Sequence, residues 1–133
     1  MADTVTSQTI QDGERVAVLK FTNESDGTGE SSVKKVDVSA LTTNSKGESC
    51  ASVSIARIHW FCRGMGVDIE FDASTNVLAV TLAPDSSGDE YFDQFSGIPN
   101  NAGSGVTGDI DFTTVGHSSG DAYSIILVLN KNY

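Results

Sequence analysis

The sequence predicts an all-β fold: a single antiparallel β-sandwich, jelly-roll or Greek-key like, of about eight strands. Three observations lead there. Val67, Ile69 and Phe71 alternate strictly with Asp68, Glu70 and Asp72, the period of a strand with one buried face. Gly, Ser, Thr, Asn and Asp are plentiful, and no stretch holds a 3.6-residue apolar period over three turns, so strands joined by turns are favoured over helices. Finally, Ala122 to Leu129 is apolar on both faces, which predicts a central strand with protein on either side.

The elements follow in chain order. Thr4 to Gln11 is polar apart from Val5 and Ile10, an edge strand or arm, and Asp12-Gly13 is a turn signal. Val16 and Val18 alternate with Ala17, Leu19 and Phe21 in a strand over Arg15 to Thr22. Ser32 to Ala40 reads as a strand with Val36, Val38 and Ala40 on one face. The longest strand is Ala51 to Arg63, with Ala56, Ile58, Trp60 and Cys62 on one face and Val53, Ile55, Arg57, His59 and Phe61 on the other. The short turn Asp72 to Asn76 then predicts a hairpin, with Leu78, Val80 and Leu82 as the inner face of its second strand. Ile110 and Phe112 alternate with outward Asp109 and Asp111. The domain assignment is one sandwich over residues 1–133, with an N-terminal arm at 1–12 and a long irregular loop at 85–106, where Asp89 to Phe95 is compatible with a helical turn.

The 133 residues carry a net charge of −10, and their only basic doublet is Lys34-Lys35, so nucleic acid is not an expected partner. Neither is a membrane, since no apolar run has the length of a span. The first residues lack the basic and apolar regions of a secretory signal, so synthesis in a cytoplasm without general export is expected. Cys50 and Cys62 match neither a disulfide framework nor a metal spacing. Cys62 is expected to be a buried thiol and Cys50, beside a polar loop, a more exposed one open to an intermolecular disulfide.

Chemistry-bearing residues are few. His117 lies in Gly116-His-Ser-Ser-Gly120, a turn between strands and not the strand-to-helix elbow a nucleophile needs. His59 reads as a packed or interface residue. Asp68, Glu70 and Asp72 read as a solvated strand face. Asp26 to Glu30 and Asp85 to Glu90 are rich in oxygen ligands, but neither follows the twelve-residue calcium-loop pattern. No catalytic, cofactor-binding or metal site is therefore assigned, and the chain is not expected to be an enzyme. The candidate interface is Thr4, Val5 and Ile10 from the arm, with Tyr91, Phe92, Phe95, Ile98, Asn100 and Asn101 from the loop. Its aromatic side chains either plug the end of the sandwich or anchor a partner.

Thr4-Val-Thr-Ser-Gln-Thr-Ile-Gln-Asp-Gly13, Lys35-Val-Asp-Val-Ser-Ala-Leu41 and Gly97-Ile-Pro-Asn-Asn-Ala-Gly103, with Thr107-Gly-Asp-Ile110, Gly116-His-Ser-Ser-Gly-Asp121 and Tyr123-Ser-Ile-Ile-Leu127, span nearly the whole chain. Through them it resembles short all-β virion structural proteins of tailed bacteriophages, of the capsid decoration or cement type. The resemblance implies a protein on the capsid surface that binds the outer head lattice and stabilises it. Its partners would be the major capsid protein and itself, as a homotrimer at threefold positions. The alternative is a tail- or fiber-associated binding module recognising a host surface. The motifs carry no catalytic residues.

Overall fold

The computed structural model describes residues 4–92 and 97–133. Among these are nine strands and one short 3-10 turn: β1 (Thr4–Asp12), β2 (Val16–Glu24), β3 (Val33–Val36), the turn Val38–Ala40, β4 (Ser52–Arg63), β5 (Gly66–Phe71), β6 (Val77–Leu82), β7 (Ser87–Tyr91), β8 (Ile110–Val115) and β9 (Ala122–Asn132). They form a five-stranded sheet, β1-β2-β9-β4-β7, and a four-stranded sheet, β3-β8-β5-β6. Every pairing is antiparallel.

The pairings are nested. Strand β5 pairs with β6, β4 with β7, β3 with β8 and β2 with β9. The chain from β2 to β9 is thus one long hairpin, and rolling it up adds the β9–β4 and β8–β5 contacts. That is the jelly-roll form of the sandwich. Strand β1 lies outside the roll and, among the described residues, pairs only with β2.

Alternation places Ala17, Leu19 and Phe21 of β2 and Tyr123, Ile125, Leu127 and Leu129 of β9 inward from the larger sheet. Val67, Ile69 and Phe71 of β5 and Ile110 and Phe112 of β8 face them from the smaller one. Phe112 meets Phe21 and Tyr123 edge-on at 5.3 and 5.8 Å between ring centroids, a favourable aromatic geometry across the two layers.

Several sequence expectations are corrected. In β4 the pairing to β9 skips from Ile55 to Arg57, so Ala56 is an extra, bulged residue. The bulge resets the phase: Val53 and Ile55 before it and Ile58 and Cys62 after it are all buried. Likewise Val80 pairs with Ile69 but Leu78 pairs with Glu70, so the extra residue is Ala79. Leu78 consequently points outward and is 54% exposed, while Val77 and Val80 pack against the core with buried Leu82. The strand expected over Ser32 to Ala40 ends at Val36, because the Asp37 carboxylate caps the 3-10 turn by accepting from the Ser39 amide at 3.0 Å.

Asp109 and Asp111 flank inward Ile110 and Phe112 as expected, yet both are buried. Asp109 accepts from the Val38 amide and pairs with Lys34 at 2.9 Å. Asp111 accepts from Asn76 at 3.2 Å through one carboxylate oxygen. Its other oxygen has no hydrogen-bond partner among the described residues. Burial, with nearby Asp72, Glu70 and Asp109, raises its pKa above the ordinary carboxylate value.

Two lysines are consumed inside. Lys35 pairs with Glu30, which also accepts from Tyr123 at 2.6 Å and Asn23 at 2.9 Å. Lys131 is wholly buried and binds Asp12, the Gly13 carbonyl and both oxygens of Thr42, tying the β1–β2 turn to the 3-10 region and β9. Cys50 is also buried, contrary to expectation, and burial raises its pKa. The buried Cys62 thiol is pushed up to about 11 for the same reason. Neither is placed for an intermolecular disulfide.

Candidate functional site

Strand β1 supplies the first part of the candidate interface. Its residues from Thr4 to Gln11 are all exposed, with Val5 at 42% and Ile10 at 51%. It is an edge strand and not a loose arm, because eight of its nine residues pair with β2 and only Ile10 bulges out of the ladder. From Thr4 to Gln11 it carries no charge, no proline and no lysine. Natural edge strands are ordinarily guarded by such residues. Among the described residues, one side of β1 therefore presents backbone donors and acceptors with no partner strand, in a form that invites another strand.

The loop residues fall differently. Tyr91 is the last residue of β7, an edge strand where a loop and a helical turn were expected. The sequence of β7, Ser-Gly-Asp-Glu-Tyr, lacks strand character, and its place is set by packing. The Trp60 indole lies over Gly88, where an added Cβ would sit 2.6 Å from the ring, and its Nε1 donates to Ser86 at 3.0 Å. Phe92 is half-buried against the core, its amide donating to the carbonyl of the bulged Ala56 at 2.8 Å. Ile98 also packs on the core and exchanges two backbone hydrogen bonds with Ile55. Both side chains plug the sandwich. Asn100 donates to the Asp72 carbonyl at 3.3 Å, and Asn101 is exposed. Phe95 lies outside the described residues, as does the rest of the expected helical turn beyond Phe92.

A further surface was not anticipated. Strand β9 is central in its sheet, but among the described residues it does not have protein on both sides: Ile126 and Val128 are half-buried on an outer face that no described layer covers. With Val18 they floor a groove of about 410 Å³ whose remaining lining is Arg57 and His59. Register fixes the neighbours. Lys20, Ile126, His59 and Asp89 form one row across the strands, and Val18, Val128, Arg57 and Tyr91 the next. Arg57 donates to both carboxylate oxygens of Asp89 at 2.8 and 2.5 Å, a bidentate pair that lowers the Asp89 pKa and raises that of Arg57. Its guanidinium also sits 4.4 Å from the centre of the Tyr91 ring, which remains 59% exposed. Phe61, on the same face, is 56% exposed.

The histidine in the Gly116 to Gly120 turn serves packing. His117 lies against Gly29, whose φ of +75° and lack of a Cβ leave the room the ring occupies, and its Nδ1 is 3.1 Å from Thr114 Oγ1. Asp68, Glu70 and Asp72 lie along β5 and its end, where Glu70 accepts from Thr113 at 2.9 Å and Asp72 from Thr107 at 2.7 Å. Among the described residues no cluster of three or more His, Cys, Asp or Glu side chains has the geometry of a metal site.

No family model and no curated protein matches the chain. Three solved structures match the chain in comparison of structures. A cupin superfamily protein from Desulfitobacterium hafniense is 12% identical, with all of this chain and 82% of that one covered and a TM-score of 0.37. A mutant of a family 29 carbohydrate-binding module is 11% identical over 96% of this chain and 93% of its own, with a TM-score of 0.43. A second family 29 module is 10% identical over 96% and 89%, again with a TM-score of 0.43.

Proposed function

We propose that the chain is a non-catalytic structural protein of a tailed-phage virion, a decoration protein that binds the outer capsid lattice and reinforces it. The resemblance in sequence supplies the class. The single observation that supports it in the molecule is β1: an exposed, uncharged edge strand appended to a jelly roll that is complete without it. A strand that contributes little to its own core yet keeps an open edge is suited to join a neighbour's sheet, where main-chain hydrogen bonds supply affinity. The net charge of −10 keeps free copies apart in solution. Assembly as a homotrimer at threefold positions lets several moderate contacts act together through effective concentration.

Copy number tests the reading. Quantitative mass spectrometry of purified particles is expected to find on the order of hundreds of copies per head, as repetition over a lattice demands. A handful per particle would place the protein on the tail and make it a host-recognition module instead.

A further inference from the structure

The outer face of the five-stranded sheet differs in charge from the rest of the molecule. Register puts Lys20, Arg57 and Arg63 on it, against Glu24 and Asp89, so this face is slightly basic in a chain of net charge −10. The opposite outer face, on the four-stranded sheet, carries Lys34 against Asp68, Glu70 and Asp111. The distribution is uneven because Lys35 and Lys131 are held in internal ion pairs and Lys34 is held by Asp109. Among the described residues no ion pair engages Lys20 or Arg63.

The geometry points to a binding site for an acidic polysaccharide on this face, centred on the groove between Lys20 and Tyr91. Three features select that ligand. The groove is open and shallow, with an apolar floor of Val18, Ile126 and Val128 that suits the C–H faces of sugar rings. At one end Tyr91 offers an exposed ring, with the Arg57 guanidinium against it, as a stacking platform. Beside the groove, Thr6, Thr22, Ser124 and Ser87 form a row of hydroxyl-bearing side chains interrupted only by Phe61, able to donate to and accept from sugar hydroxyls. The acidic character follows from Lys20, which stands on β2 beside Ile126 at the edge of the groove, two strands and about 10 Å across the sheet from Arg57 and His59. The site stands on this face alone and does not depend on where the protein sits in a particle.

Electrophoresis of the full chain through native gels cast with polygalacturonate, or with neutral galactan, tests the site. A protein of net charge −10 is repelled by a polyanion overall, so retardation by polygalacturonate requires a local cationic site. Retardation by polygalacturonate but not galactan is expected, weakening as salt is raised. Tyr91→Ala and Lys20→Gln are each expected to weaken it roughly tenfold, a loss of about 1.4 kcal/mol. Lys46→Gln, in an exposed loop away from the face, is expected to leave it unchanged. Because Tyr91 is mostly exposed, its truncation spares the fold, which the circular dichroism spectrum verifies. Absence of retardation, equal retardation by galactan, or an equal effect of all three substitutions would overturn the proposal. So would protection of Tyr91 and Lys20 from chemical labelling only in assembled particles, which would assign the face to a protein.

Discussion

Phe71 is 1% exposed at the end of the most regular strand of the smaller sheet. Truncation to alanine removes a full aromatic side chain from a close-packed interior and is expected to cost about 3–5 kcal/mol in chemical denaturation. Leu78, two positions along the partner strand from Val80, is expected to behave in the opposite way. Pointing outward beside Glu70, it should tolerate serine within about 0.5 kcal/mol. Val80→Ser, packed against the core, should cost more than Leu78→Ser; a reversal of that order would mean there is no bulge at Ala79. Asp111 gives a pH signature. Its pKa is raised in the fold, first by burial and then by the Asp72, Glu70 and Asp109 charges, so the native state holds this proton more tightly than the unfolded chain does. The stability it contributes is full below the ordinary carboxylate value and lost as pH rises through the raised one. Asp111→Asn is therefore expected to melt higher than wild type at pH 7, with the advantage vanishing in acid. A lower melting temperature at pH 7 would show that the Asn76 hydrogen bond outweighs the carboxylate repulsion.

At the scale of elements, strands show in the sequence where one phase runs unbroken. Val67 to Phe71 and Ile110 to Phe112 keep strict alternation, and their inward faces are as expected. Phase is lost at Ala56 and Ala79, since a bulge adds one small residue that looks like any other, and everything beyond it changes side. Strand β7 was hidden for a different reason: Gly88 and its polar neighbours form a strand because Trp60 and the β4 edge hold them there. Gly88→Val should consequently detach β7 despite valine's preference for strands, visible as faster amide exchange in Asp89 to Tyr91. Lys131 anchors the opposite end. Its replacement by alanine leaves the Asp12 carboxylate without its cation inside the β1–β2 turn, and a loss of about 3–5 kcal/mol is expected.

At the scale of the whole molecule, the jelly roll follows from nested pairings that no local pattern displays, although the all-β sandwich class was legible from alternation and turn composition. The candidate site was legible in part. Thr4 to Gln11 reads as a polar strand with little to bury, and it lies on the surface. The groove did not show, because Lys20, Arg57, Asp89 and Ile126 belong to four strands and become neighbours only through register. Docking through β1 is the central claim, and because β1 lies outside the roll, removing residues 2–10 should leave the jelly roll folded. The most direct measurement titrates the intact protein and this shortened form onto undecorated capsids. Binding by the intact chain, its loss on shortening, and a gain in heat resistance confined to decorated particles are predicted. Undiminished binding by the shortened, folded protein would contradict docking through β1, and failure of the intact protein to bind would contradict the decoration role itself.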